Sequence, residues 1–258
     1  MRVYVWDRCF LAQAGSFSTG RRPKPHKRLS ATIIVATGKP FGMEVSGLSA
    51  RTHEGLLLAP NVSRISLEAR DSDLSILDAG ITTATYEALA PCLIQGQARA
   101  LSAQELARIK PMLKAAFAAE MTCMQATALL DEVVGALGGG ARTVERDARI
   151  GRVMQLIEDL PLDELSLPML ARAAGVSASR LRVLFQANLG CGPAQYMRWA
   201  NAWKAIRLWQ KGMKFTYLAH EIGFHDLAHI DHAIGELFGM SPSSLTTAQG
   251  VSFHKCGS

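Results

Sequence analysis

At 258 residues the chain is long enough for two ordinary domains, and with 48% hydrophobic residues it is too apolar for general disorder. Its formal net charge of +6 favours a polyanionic partner without naming one. No stretch approaches the ~20 uninterrupted apolar residues of a membrane span. The opening MRVYVWDRCFLAQAG also lacks the basic start and long apolar run of a secretion signal, so no membrane association and a cytoplasmic location are expected.

The N-terminal third reads as β structure. RRPKPHKR at Arg21–Arg28 concentrates positive charge ahead of ATIIVATG (Ala31–Gly38), a β-branched run closed by glycine. EGLLLAP (Glu54–Pro60) ends at proline. SRISLEARDSDLSILDAG (Ser63–Gly80) holds two alternating runs, expected as two strands around a polar turn at Asp71–Asp73. Short strands at this spacing suggest a small sandwich or barrel.

The period then changes. Ser102 and Glu105 form an S-x-x-E capping box, followed by Leu106, Ile109, Leu113 and Phe117 at helical spacing. Pro111 is expected to kink this helix or split it near Lys110. Met121, Met124, Ala128, Leu130, Val133, Val134 and Leu137 extend the apolar face, which is taken as a dimerisation surface, with Met121 and Met124 as ordinary gap-filling core. Gly138–Gly140 closes it. The five cysteines are odd in number and scattered, with no C-x-x-C, so neither a disulfide framework nor a zinc site is expected.

From Arg146 onward the chain reads as short helices. Pro168 opens PMLARAAG, which stops at Gly175; Ser177 or Ser179 caps SRLRVLFQANLG, which stops at Gly190; a long helix follows from near Pro193. KFTYLAHEIGF and DLAHIDHAIGELFG come next, and Ser241-Pro242 opens a last helix. Short helix, tight turn, short helix thus occurs twice, over Leu167–Leu189 and Phe215–Phe238, with Gly175 and Gly223 at the turns. Such a unit lays its second helix in the major groove while the first braces it. Leu181, Leu184 and Phe185 would anchor the first such helix, and Ile230, Ile234 and Phe238 the second. Residues 148–212 hold nine Lys/Arg against four Asp/Glu, a net of +5, whereas 213–250 hold one Lys against four acids, a net of −3.

The stretches LPMLARAAGVSASRLRVLFQANLGCGPAQYMRWANAWKAIRLW and EIGFHDLAHIDHAIGELFGMSP, closing on F-G-x-S-P at Phe238–Pro242, resemble the AraC/XylS family of transcription regulators over about Arg149–Gln249. The resemblance implies a transcription regulator binding double-stranded DNA, responsive to a small-molecule effector, homodimeric, working with RNA polymerase, and an activator rather than a repressor. It implies an α+β chain: a small cupin-like β-barrel over residues 1–100, a helical dimerisation segment over 101–138, a linker over 139–147, a double helix-turn-helix domain over 148–250 and a tail over 251–258. By position, Ser179, Arg180, Arg182, Val183 and Gln186 of the first unit would meet DNA, with Arg182 able to grip a guanine edge. In the second unit the corresponding residues are Leu227, Ala228, Asp231 and His232. Family members usually carry arginine where His232 stands and a basic pair where Gly235 and Glu236 stand, so the second unit is expected to bind weakly. In the β domain, Arg22, His26 and Arg28 are candidates to hold an anionic effector.

No enzyme and no cofactor is expected. A metal cupin would need an H-x-H pair, but His26 is followed by Lys27 and Arg28, and His53 is the one other histidine before the helices. The alkylation-repair relatives of this family use clustered cysteines and a P-C-H-R segment, both missing here. His220, His225, His229 and His232 lack H-E-x-x-H spacing, so no metal site is assigned to them.

Overall fold

A computed structural model describes residues 1–18, 26–49, 51–140, 145–209, 213–238 and 251–257. The chain divides into two compact units, Met1–Thr143 with Gln249–Ser258, and Val144–Ala248.

The first unit is built on a nine-stranded sheet: β1 (Arg2–Trp6), β2 (Cys9–Ser18), β3 (Ser30–Ala36), β4 (Phe41–Val45), β5 (Thr52–His53), β6 (Gly55–Leu58), β7 (Arg64–Gly80), β8 (Ala98–Ala100) and β9 (Ser252–Lys255). Its order is β8-β6-β3-β7-β2-β1-β9, with β4 joined to β7 and β5 to β4. Among the described residues the end strands β8 and β9 do not pair with each other. The expected barrel is therefore corrected to an open sheet.

The reason lies in β7, which is one strand of 17 residues where two strands and a turn are expected. Asp71 takes a left-handed φ of 52°, as does Ser16 opposite it at 50°. The Asp71 N–H donates to Ser16 Oγ at 3.1 Å, replacing the ladder bond lost where the β2–β7 register slips between Gly15 and Phe17. The polar residues thus make a bulge that bends the strand without reversing it. One end of β7 then pairs with β3 and the other with β4.

Three helices follow β7 and complete this unit: α1 (Ala84–Leu89), α2 (Ala103–Ala118) and α3 (Cys123–Ala136). Both long ones begin in reciprocal capping boxes, Ser102 with Glu105 and Thr122 with Gln125. Arg99 forks onto Glu105 at 2.8 and 3.0 Å and holds its carboxyl down to about 2, helped by the Ser102 N–H. Pro111 does not split α2. Its ring, and Ala107, whose carbonyl loses its partner, lie on the exposed side, where water can serve that oxygen.

Ile109 and Leu113 of α2 and Ala126, Leu129, Leu130, Val133 and Val134 of α3 pack with Tyr4, Leu11, Ile33, Leu57 and Leu77 of the sheet. Ile109, Leu113, Leu130, Val133, Val134 and Leu137 of the apolar face taken as a dimerisation surface are thereby buried in the chain's own core, while Ala128 of that face is exposed. Met121 packs against this core, but Met124 is 80% exposed, which corrects its core assignment. The Arg2 guanidinium donates to the carbonyls of Phe117 and Ala119, tying β1 to the end of α2.

The expected tail over 251–258 is instead part of the sheet. β9 runs parallel to β1, with Ser252 N donating to Met1 O at 2.9 Å and Cys256 N to Val5 O at 2.7 Å. The His254 ring stacks on Tyr4 at 4.7 Å and pairs with Glu120 at 3.2 Å. Cys256 is joined to Cys123 by a disulfide between residues 133 apart in sequence. Scattered spacing hid this pair, because strand pairing across the whole chain brings the two together.

The second unit is all-helical: α4 (Ala148–Asp159), α5 (Leu167–Ala173), α6 (Ala178–Leu189), α7 (Pro193–Leu208), α8 (Phe215–Ile222) and α9 (Leu227–Phe238). α7 is its spine. Tyr196, Ala200, Ala202, Trp203 and Ala205 are fully buried, and α7 packs against α4 and α6 on one side of the sequence and α8 and α9 on the other. The helix starting at Ser241 lies outside the described residues.

Candidate nucleic-acid interface

α5 and α6 form the first helix pair. Ser166 caps α5 through the Met169 N–H, and Pro168 sits in its first turn, where no N–H is needed. Ala174 and Gly175 end it, with Gly175 at φ 68°. Ser177, rather than Ser179, caps α6 by accepting from Arg180 N at 3.2 Å. Leu181, Leu184, Phe185 and Leu189 are buried on one face of α6, and Phe185 meets Tyr196 of α7 edge-on at 5.8 Å. With those anchors fixed, 3.6-residue periodicity leaves Ser179, Arg180, Arg182, Val183 and Gln186 on the outward face, all of them exposed; Val183 is 56% exposed despite being apolar.

The second pair repeats the plan. α8 ends at Gly223, φ 81°, and a side chain there would meet the Asp163 carboxylate and the backbone nitrogens of Leu162 and Asp163 at 2.2–2.8 Å. Glycine is thus required by conformation and by space. Asp226 caps α9, accepting from His229 N at 2.7 Å, and that bond holds its carboxyl below the usual range. Ile230 and Ile234 are buried, while the Phe238 and Glu236 side chains lie outside the described residues. Leu227, Ala228 and His232 are exposed and Asp231 is half-buried. The four histidines do not converge: His220, His225 and His232 are exposed, and the His229 ring packs edge-on against Phe224 at 5.0 Å. Among the described residues no group of three or more metal-ligating side chains occurs.

The +5 charge over 148–212 overstates what faces outward. Lys204 is buried and donates to the carbonyls of Ile157 and Leu160 at 2.5 and 2.7 Å, closing the end of α4. Arg207 pairs with Glu158 at 2.7 Å, and Arg149 with Asp147 at 2.6 Å. Sequence reasoning missed these internal roles, since a lysine that closes a helix end has no local signature. Arg152, Arg172, Arg180, Arg182 and Arg198 remain exposed.

In the first unit, Arg22 lies outside the described residues. His26 forms a backbone bridge with Arg64. Arg28 is buried, donating to Asp78 Oδ2 at 3.0 Å, with its guanidinium 5.9 Å from the Phe10 ring centre. Beside it, Arg64 donates to Thr32 Oγ1 at 2.7 Å, and Thr32 to Asp78 Oδ2 at 2.7 Å. Burial, and then the neighbouring Arg28, push the Arg64 pKa down to about 9 against the pull of Asp78. Among the described residues, the Nε atoms of Arg28 and Arg64 are buried without a hydrogen-bond partner. Arg64 escaped the sequence reading because it sits at the start of an alternating strand run, where a charged residue normally faces solvent.

Residues 170–248 match a family model described as a helix-turn-helix domain. An AraC-like transcription regulator of Streptomyces antibioticus is 29% identical over 113 residues, which is 43% of this chain; the match spans 36% of that protein's length. Among solved structures, an apo single-substitution variant of ToxT from Vibrio cholerae superposes with a TM-score of 0.60 at 10% identity over 93% of this chain and 97% of ToxT. Wild-type ToxT bound to an unsaturated fatty acid gives 0.56 at 11% identity over 91% and 94%. At such identities the likeness is one of fold: an N-terminal sheet with helices, then a helical C-terminal part.

Proposed function

From the AraC-type helix-turn-helix domain that the chain carries, we propose a sequence-specific, DNA-binding transcription regulator acting in the cytoplasm on double-stranded DNA. The observation that supports it most is α6, which buries four apolar anchors and turns Ser179, Arg180, Arg182, Val183 and Gln186 outward together, the amphipathic arrangement of a helix that reads a major groove. α8–α9 is read as a second, weaker unit. Its exposed Leu227 and Ala228 can touch a thymine methyl, while Asp231 repels phosphate and His232 carries no fixed charge. Activation through RNA polymerase and homodimerisation belong to the same reading. The dimer needs a surface other than the buried face of α2 and α3.

The effector side of this reading rests on Arg28 and Arg64. Two buried guanidiniums share one carboxylate, Asp78, which leaves a positive charge in a nonaqueous setting that an anion would neutralise. ToxT has been captured with an unsaturated fatty acid and with (E)-4-(8-methylnaphthalen-1-yl)but-3-enoic acid, both carboxylic acids. A carboxylate effector is accordingly proposed here.

A mobility-shift assay at two salt concentrations tests the DNA reading. Phosphate contacts predict a steep, log-linear loss of affinity with salt; no shift at low salt on any duplex would remove the proposal. Thermal stabilisation by oleate, absent with its methyl ester and lost in Arg64→Gln, tests the effector reading.

A further inference from the structure

Four of the chain's seven histidines, His220, His225, His229 and His232, fall within thirteen residues of α8–α9, and the first pair, α5–α6, holds none. The reading above uses His232 alone, for its lack of fixed charge. The surroundings of all four are acidic. Lys214 is the one fixed cation in the sequence 213–238, against Glu221, Asp226, Asp231 and Glu236, a net of −3. Imidazole changes charge between about pH 5 and 8, a range in which carboxylates ordinarily stay ionised. With all four histidines charged, the net becomes +1.

We propose that α8–α9 is a DNA-binding pair that engages in acid, with the imidazoliums of His220, His225 and His232 as its phosphate contacts. The proposal rests on the DNA-binding reading above, and the placement of the three rings carries it. In a helix-turn-helix the first helix crosses the DNA backbone and the second enters the groove by its N-terminal residues. His220 stands exposed in the last turn of α8, where a helix end favours a cation. His225 lies just ahead of α9, its side chain 90% exposed, with Nδ1 at 3.3 Å from the Asp226 carboxylate. His232 is exposed one turn beyond Ala228, on the outward face of α9. His229 differs: it is half-buried with its ring fixed against Phe224, so no contact is assigned to it.

The charges around these rings come from few elements. Asp226 caps α9, and its carboxyl, held low by the His229 N–H and then by the His225 ring, is ionised throughout the neutral range. Glu221 follows His220 in the chain, and Asp231 precedes His232. α7 packs against both helices. Of its cations, Lys204 is bonded to carbonyls and Arg207 to Glu158, while Arg198 is exposed. The Asp163 carboxylate approaches the turn at Gly223. At pH 8 the acids dominate this surface and repel phosphate. In acid each imidazolium offsets one of them, and a phosphate beside the ring further favours its charged form. Binding therefore takes up protons. The added affinity is complete at low pH and is lost as pH rises through the histidine range.

The test uses the full-length protein and a labelled duplex that the protein itself selects from random DNA at pH 6. Affinity is measured at pH 6 and pH 8 at one ionic strength, with a hydroxyl-radical footprint at each. Each histidine that meets phosphate should tighten binding about fivefold in acid, so two contacts give about 25-fold. A second protected segment should appear in the footprint at pH 6. The double variant His225→Gln, His232→Gln should lose most of this gain. The double variant His225→Arg, His232→Arg should bind at pH 8 about as tightly as the unaltered protein binds at pH 6. DNA bound with equal affinity at both pH values overturns the acid contacts alone, as does a gain that survives intact in the glutamine variant. DNA bound at neither pH overturns the regulator reading itself, and the acid contacts with it.

Discussion

Both α5–α6 and α8–α9 turn at a left-handed glycine, cap the second helix with a side-chain oxygen and bury aliphatic anchors on one face. They part company on the outward face. One offers Ser179, Arg180, Arg182 and Gln186; the other offers Leu227, Ala228 and His232 with Asp231 alongside. Packing constrains the inward positions of each pair to the same chemistry, whereas the outward positions carry no packing demand and are free to diverge. Repetition of the scaffold therefore says nothing about equality of binding, which has to be argued residue by residue.

The largest expected effect concerns the two turns. Gly223→Ala combines a left-handed conformation costing about 1–2 kcal/mol with overpacking against Asp163 and Leu162 worth about 1–3 kcal/mol. Gly175 has the same kind of φ and nothing within 4 Å of an added Cβ, so Gly175→Ala should cost only about 1–2 kcal/mol. Thermal unfolding of the two variants side by side checks this, and equal losses would remove the claim that the second turn is packed more tightly.

Next comes Arg182→Ala, expected to weaken specific binding by about 1–3 kcal/mol and to relax preference at one or two base pairs. Uniform weakening on all duplexes would reassign Arg182 to phosphate. A smaller gain is expected from His232→Arg, which should tighten binding and steepen the salt slope by about one unit. An unchanged slope in filter binding would mean that this face of α9 does not meet DNA.

The smallest difference is in how the two caps respond to acid. Ser177, capping α6, does not titrate, but Asp226, capping α9, does. Its carboxyl is held low by the His229 N–H, so its contribution is complete above the unfolded value of about 4 and fades as pH falls through the lowered folded value. Amide exchange at His229 should accelerate in acid, with Arg180 unaffected.

The helical half was legible because its signals are local. A cap, a 3.6-residue apolar period and a closing glycine all lie within a dozen residues of one another, and the spans Leu167–Leu189 and Phe215–Phe238 recur as α5–α6 and α8–α9. The sheet was legible only in part. ATIIVATG and EGLLLAP announce β3 and β6, but β9 takes its identity from β1 across most of the chain, and β2 from β7 some sixty residues on. The same distance hid the Cys123–Cys256 pair. At Asp71 the polar residues that ordinarily mark a turn were satisfied by Ser16 from a neighbouring strand, which no reading of β7 alone could supply. In the candidate DNA face, exposure followed from the buried anchors by periodicity alone. The inward use of Lys204 depended on where α4 ends relative to α7, a tertiary fact.

β9 also decides which strand forms the margin of the sheet. Its sequence, SFHK, is short and polar, and it covers RVYVW in β1, whose β-branched and aromatic residues make an adhesive template when their backbone is left unpaired. A fragment ending before Gln249 would hand that template to solvent. Self-association of such a fragment through β1 would resemble physiological dimerisation while reporting only a missing strand.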